Sequence, residues 1–179
     1  MMAVARPFGC EIVGGDTTHV RGEQFVVIAL IGEVERRRLT LRSGARPGDR
    51  VFVTGKLGGS RAGKHLRFTP RIREARWLTD HCQIHAMLDL SDGLASDLHR
   101  LAESSRVGVD LVARQVPRTV SLHAALTDGE DFELLFTVSA RAAVSLRKKF
   151  FEIGRVIAQP GVFIDGQPLT EQGYDHFRP

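Results

Sequence analysis

The sequence predicts an α/β layered domain with a mixed sheet and helices packed on it. Short apolar and β-branched runs alternate along the chain with segments whose apolar residues recur at helical spacing. Near the carboxy terminus, Asp165-Gly166 is the turn signal of a tight hairpin. Alternating strands and helices pack in layers, and a terminal hairpin adds antiparallel pairing to the sheet. Hydrophobic residues make up 42% of the chain and charged residues 26%, as in ordinary globular domains.

The strands are predicted from runs of apolar and β-branched residues bounded by turn residues. In chain order they cover 11–13, 25–30, 50–54, 84–90, 109–112, 132–138 and 153–158, and the hairpin follows at 162–166. The run at 25–30 is apolar almost throughout, which favours a buried strand.

Helices are predicted at 69–81, 93–105 and 140–149. The first starts at Thr69-Pro70, because threonine is a good cap and proline suits the first helical position. In the second, Leu94, Leu98 and Leu101 fall on one face. The glycine-dense loop at 55–63 does not match the nucleotide P-loop pattern, so we interpret it as a flexible connection.

Composition narrows the functional classes. The net charge is +4, but the basic runs follow acids or end a predicted helix, and the chain has one Tyr and one Trp. This pattern favours a solvated surface over nucleic-acid binding, and a modest positive field also attracts anionic substrates. No apolar run approaches the roughly 20 residues of a membrane span. Two cysteines are too few for a disulfide framework, which indicates a cytoplasmic protein.

The strongest chemical signal is Asp-Leu-Ser-Asp-Gly at 89–93, where a predicted strand turns into a helix. Asp89 and Asp92 can converge on one hard cation, which prefers oxygen ligands and often keeps substrate phosphates in its shell. The Ser91 hydroxyl and the free amides at the helix start can then meet phosphate oxygens. The alternative is that Asp92 caps the helix and Asp89 ends a strand in solvent.

Two further clusters carry weaker signals. Gly-Gly-Asp-Thr-Thr at 14–18 offers close backbone approach and oxygen ligands, although taken alone it is better explained by an Asx-type hairpin turn. The stretch 128–134 concentrates acids just before a predicted strand. Such acids repel one another unless a cation or a basic ligand lies nearby. For Asp128 we expect a solvated loop.

Taken in order, these motifs resemble the thiamine-monophosphate kinase family. They are Gly-Gly-Asp-Thr-Thr at 14–18, Arg-Ser-Gly-Ala-Arg-Pro-Gly-Asp at 42–49 leading into Val-Phe-Val-Thr-Gly, Asp-Leu-Ser-Asp-Gly-Leu at 89–94, Gly-Glu-Asp-Phe-Glu-Leu at 129–134, and Gly-Tyr-Asp-His-Phe at 173–177. Each motif is weak alone, whereas the ordered set is specific.

The resemblance implies magnesium-dependent transfer of the ATP γ-phosphate to thiamine monophosphate. It also implies a fold similar to that of aminoimidazole ribonucleotide synthetase, whose chains pair as homodimers. In this chain, residues 1–42 would be a remnant of the amino-terminal ATP-binding and dimerisation domain, and residues 43–179 would form the carboxy-terminal α/β domain. The resemblance also implies site residues, carried over position by position. The magnesium ligands would be Asp16, Asp89 and Asp92, and the ATP contacts Gly15, Asp16, Arg42 and Ser91. The contacts to the thiamine substrate would be Glu130 and Tyr174, and the catalytic set Asp89, Asp92 and Arg42.

The family also carries a substantial segment before its Gly-Gly-Asp-Thr-Thr motif, with further acidic metal ligands. We therefore expect an amino-terminally truncated member that holds about half of the site. Two alternatives stay open at this point. One is a non-catalytic module that binds nucleotide or thiamine phosphate, and the other is a related enzyme that phosphorylates a different acceptor. The tail motif at 173–177 favours the thiamine enzymes over the latter.

Overall fold

The structure, a computed structural model, describes residues 2–19, 21–22, 26–170 and 173. The chain forms two compact units, Met1–Glu33 and Val34–Pro179. The domain boundary predicted after Arg42 remains a prediction. No helix in the described part of the chain is long and apolar enough to cross a membrane.

The amino-terminal unit contains helix α1 (Met2–Ala5) and a 3-10 turn (Arg6–Phe8). The strand predicted at 11–13 is wrong, and residues 26–30 of the strand predicted at 25–30 also lie outside any strand. Phe25 falls outside the described residues. A β-branched run forms a strand only where a neighbouring strand satisfies its backbone groups. The described residues of this unit supply no such neighbour, and Val27 is 86% exposed.

The second unit is built on a seven-stranded sheet. Its strands are β1 (Arg50–Val53), β2 (Ala86–Asp89), β3 (Gly108–Leu111), β4 (Leu134–Val138), β5 (Phe151–Ile157), β6 (Gly161–Ile164) and β7 (Gln167–Pro168). The order across the sheet is β2-β4-β1-β5-β3-β6-β7, with β3 and β6 parallel and the other neighbours antiparallel. The predicted mixed sheet is confirmed.

The helices of this unit are α2 (Ile72–His81), α3 (Leu94–Ser105), α4 (Leu122–Thr127) and α5 (Ala140–Leu146). Three of them confirm predicted helices, but α2 starts later than Thr69, at an Arg71 N-cap without a side-chain cap bond. Helix α4 was not predicted, because its six residues are too few to show a period. Ser121 caps it by accepting a hydrogen bond from Ala124 N at 3.0 Å.

Both faces of the sheet are covered by apolar side chains. Residues alternate between the two faces along each strand, so Leu135 joins the larger cluster with α3, and Phe136 joins a second cluster with α2 and α5. In the second cluster Phe136 stacks on Phe52 at 5.4 Å between ring centroids and meets Phe150 edge-on at 5.5 Å. These aromatic contacts join β1 to β4 and pack Phe150, which follows α5, against the sheet.

Replacing Phe136 by alanine should therefore destabilise the protein strongly. Deleting a fully buried phenylalanine removes its transfer free energy and leaves a cavity, so we expect a loss of about 3–5 kcal/mol in the free energy of unfolding. Urea denaturation measures it. The matched control is Val144→Ala on the exposed face of α5, which should change stability by less than about 0.5 kcal/mol. Equal losses in the two variants would contradict the described core.

Candidate functional site

The sheet register brings three loops together at one end. Asp89 pairs with Leu134 and Val53 pairs with Leu135, so the end of β2, the end of β1 and the start of β4 lie side by side. The turn at 89–93, the loop at 55–64 and the acidic stretch at 128–133 extend from these strand ends. Residues far apart in the sequence thus meet at one place.

The acidic stretch is hydrogen-bonded directly to the turn that follows β2. Glu130 N donates to Ser91 O at 2.7 Å, and Phe132 N donates to Leu90 O at 2.8 Å. Glu130 and Phe132 have φ of 49° and 51°, in the left-handed region that side chains seldom adopt. A Cβ at Gly129 would lie 2.9 Å from Ser91 O, so this close approach requires glycine. The two segments form one interlocked layer.

Asp131 and Glu133 are buried and bound by basic groups of the protein itself. Asp131 accepts hydrogen bonds from Gly58 N at 2.9 Å and from Lys64 Nζ at 2.6 Å. Glu133 accepts from Arg71 Nε at 2.7 Å and Nη2 at 2.6 Å, and from the Thr54 hydroxyl at 2.6 Å. Burial raises the pKa of Asp131, and the hydrogen bonds from Lys64 and Gly58 offset part of that rise.

Two predictions about this region are wrong. Asp128 does not lie in a solvated loop, because its side chain is 9% exposed, accepts from Gly59 N at 3.1 Å and pairs with Arg61 at 3.5 Å. The glycine-dense stretch is not a loose connection either, because Asp128 and Asp131 bind its backbone amides. Within the acidic stretch, Asp128, Asp131 and Glu133 are neutralised by Arg61, Lys64 and Arg71.

The backbone of the turn at 89–93 is bound by Asp97 of α3, an acid that the sequence analysis did not single out. Asp97 Oδ2 accepts hydrogen bonds from Ser91 N at 3.0 Å and from Asp92 N at 3.1 Å. These two amides, which precede α3, are therefore engaged by the protein. The prediction that the free amides at the helix start meet phosphate concerns the residues after them and stays a prediction. Asp92 does not cap α3: Gly93 occupies the N-cap without a side-chain bond, and the Asp92 carboxylate forms an ion pair with Arg100.

A cavity of about 270 Å³ opens where the three loops meet. It is lined by Ser60, Arg61, His65, Ser91, Asp92, Asp128 and Glu130. The structure thus brings Ser91, Asp92 and Glu130, from two of the predicted motifs, to one cavity. Asp89 is exposed at the end of β2, next to the turn that carries Ser91 and Asp92.

Arg42 is exposed and lies beside the outer edge of β2, where its neighbour Leu41 accepts a hydrogen bond from Met87 N at 2.9 Å. Gly15 and Asp16 belong to the amino-terminal unit. There the Asp16 carboxylate accepts from Thr17 N at 2.8 Å, one residue on rather than the two residues on of an Asx-type turn. Tyr174 lies outside the described residues.

The donor chemistry beside the cavity suits magnesium. Magnesium is commonly held by one or two carboxylates together with substrate phosphates and water. Asp89 is exposed and forms no ion pair among the described residues, and Asp92 and the Ser91 hydroxyl lie on the same turn. Within the described residues no group of three or more His, Cys, Asp or Glu side chains is arranged to hold a metal ion. These residues fit an ion whose remaining ligands come from phosphate and water.

The missed residues had only faint sequence signals. Asp97 sits three residues after Leu94 on the otherwise apolar face of α3, and an acid at such a position indicates a buried polar contact. No sequence signal linked Lys64 and Arg71 to Asp131 and Glu133, because these partners lie more than sixty positions away.

Comparisons with known proteins agree with this geometry. The family described as AIR synthase related protein, C-terminal domain, matches residues 52–167. The thiamine-monophosphate kinase of Rhodopirellula baltica is 33% identical, over 91% of this chain and 56% of that protein. The corresponding enzyme of Halobacterium salinarum is 37% identical, over 97% of this chain and 67% of that protein.

Among solved structures, AaThiL complexed with AMPPCP and TMP superimposes with a TM-score of 0.64 at 31% identity, over 77% of this chain and 54% of that one. The chain thus spans between 54% and 67% of the length of these relatives. The match extends over the sheet and the loops that surround the cavity. On this combined evidence, the chain belongs to the thiamine-monophosphate kinase family.

Proposed function

We propose that this chain serves the ATP-dependent phosphorylation of thiamine monophosphate to thiamine diphosphate, with magnesium required. The observation that carries the proposal is the cavity at which Ser91, Asp92 and Glu130 meet, with the exposed Asp89 two residues before Ser91 in the chain. Family membership supports the reaction class, and the related AaThiL structure is a complex with AMPPCP and TMP.

Asp89 and Asp92 are the proposed magnesium ligands in this unit, and Asp16 is proposed as a further one. Bound magnesium supplies positive charge that neutralises phosphate oxygens. We assign ATP contacts to Gly15, Asp16, Arg42 and Ser91, as the resemblance implies. Arg42 is suited to balancing negative charge that develops on the transferred group, because its guanidinium is always protonated and its side chain is exposed.

Glu130 and Tyr174 are the proposed contacts to the thiamine substrate. Among the acids of the stretch 128–133, Asp128, Asp131 and Glu133 are engaged by protein groups, whereas Glu130 is exposed and lines the cavity. A free carboxylate at that position suits a cationic ligand, and an aromatic face such as that of Tyr174 suits a flat ring.

The proposed reaction is a direct transfer between phosphates. An oxygen of the substrate's phosphate attacks the γ-phosphorus of ATP, the bond to the β,γ-bridging oxygen breaks, and ADP leaves. Such a transfer depends on positioning and charge neutralisation and needs no nucleophile from the protein. A homodimer and a cytoplasmic location complete the proposal, as the resemblance to the family implies.

The purified chain, supplied with ATP, magnesium and thiamine monophosphate, should form thiamine diphosphate, and omission of magnesium should abolish the product. Chromatographic separation of the thiamine phosphates measures the product. Binding of both ligands in calorimetry with no turnover would instead support a non-catalytic binding module. Faster turnover of a different phosphate acceptor in a competition assay would contradict the assignment of the substrate.

Asp89→Asn should weaken magnesium-dependent nucleotide binding while the fold stays intact. The residue is exposed at a strand end, and losing a contact to a charged group costs about 1.5–3 kcal/mol, or roughly 10- to 150-fold in affinity. Calorimetry with AMPPCP and magnesium measures the affinity. The charge-matched control is Glu103→Gln, on the exposed side of α3, which should bind as the wild type does. Unchanged affinity in Asp89→Asn would rule out Asp89 as a ligand.

A further inference from the structure

Asp97 on α3 is a buried carboxylate whose two oxygens have different tasks. The residue is 1% exposed. Its Oδ2 accepts hydrogen bonds from the amides of Ser91 and Asp92, and its Oδ1 accepts one from Arg100 Nη1 at 2.8 Å. Burial raises the pKa of Asp97, and these hydrogen bonds offset part of that rise. Three donors therefore anchor one acid beneath the turn at 89–93.

Arg100 connects this anchor to the proposed magnesium ligand. Its Nη1 contacts Asp97 Oδ1 and also forms the ion pair with Asp92 Oδ2. Arg100 and Asp97 are three residues apart on α3, so the helix itself fixes their separation. The backbone of Asp92 is thus held by Asp97 directly, and its carboxylate is held by Arg100. The backbone and the side chain of Asp92 are thus both restrained by residues of α3.

We propose that Asp97 and Arg100 are positioning residues that set the orientation of the Asp92 carboxylate for a divalent cation. The inference rests on the magnesium-dependent function proposed above. Arg100 engages one oxygen of Asp92 and leaves Oδ1 without a described partner. A carboxylate held by one oxygen presents the other in a fixed direction, so less conformational freedom is lost when a cation binds.

The alternative is that Arg100 competes with the cation for Asp92. The two cases predict opposite changes in cation affinity when Arg100 is removed. If Arg100 positions Asp92, its removal lowers cation affinity, and loss of such an outer contact typically costs roughly 10- to 100-fold. If Arg100 competes, its removal raises cation affinity, because an adjacent positive charge is lost. A titration of the variants therefore separates the two.

The experiment is a Mn²⁺ titration of the full chain in the presence of AMPPCP, with free Mn²⁺ followed by electron paramagnetic resonance. Arg100→Gln should weaken Mn²⁺ binding by roughly 10- to 100-fold, and Arg100→Lys, which keeps a cation on α3, should recover part of the affinity. Asp97→Asn should weaken Mn²⁺ binding by a similar factor. If the asparagine oxygen accepts from the amides of Ser91 and Asp92, its NH₂ group faces Arg100, which is itself a donor, and the contact to Arg100 is lost. Arg76→Gln on the exposed side of α2 is the control.

Arg100 is 41% exposed in its side chain, so Arg100→Gln tests the proposal even if Asp97→Asn fails to fold. Wild-type affinity, or tighter binding, in Arg100→Gln would overturn the positioning role. Arg100→Lys binding no better than Arg100→Gln would overturn it as well. A wild-type chain that binds no Mn²⁺ would overturn the proposed function and this inference together, whereas wild-type binding with unaffected variants overturns the inference alone.

Discussion

The buried carboxylates of Asp131 and Glu133 are the constraint on which the rest of the site depends. Each removes an acid from water, which is costly unless the charge is fully paired and hydrogen-bonded. Lys64, Gly58, Arg71 and Thr54 supply those partners. Satisfying the two acids therefore fixes the loop after β1 and the start of α2 against the start of β4.

This arrangement divides the acids of one short stretch between two tasks. Asp131 and Glu133 are hydrogen-bonded to protein donors and hold the loop after β1 and the start of α2. Glu130 remains exposed at the cavity. At the neighbouring turn at 89–93, the structural acid is Asp97 of α3, and Asp92 lines the cavity. In both segments a buried carboxylate that is bound to protein donors lies a few residues from an accessible one. The proposed ligands are thus carried on backbone that the protein's own charges restrain.

Most elements of the second unit, though not the short helix α4, could be predicted from the sequence because their signals are local. Leu94, Leu98 and Leu101 place α3 correctly, and the apolar run of β1 finds a partner on each side. The strands expected at 11–13 and 25–30 carried the same local signal, but the described residues of their unit offer no pairing strand. The motifs likewise indicated Ser91, Asp92 and Glu130. The partners of Asp131 could not be predicted, because they are fixed by the register of β1 and β4.

Hydrogen exchange at the Gly58 amide in Asp131→Asn tests this account most directly. In the wild type that amide donates to both oxygens of a carboxylate with no exposed side-chain surface. Hydrogen bonds to charged groups contribute about 1.5–3 kcal/mol, so protection at Gly58 should fall by roughly 10- to 150-fold while the amides of β4 stay protected. Unchanged protection at Gly58 in a folded Asp131→Asn protein would contradict the claim that this buried carboxylate holds the loop.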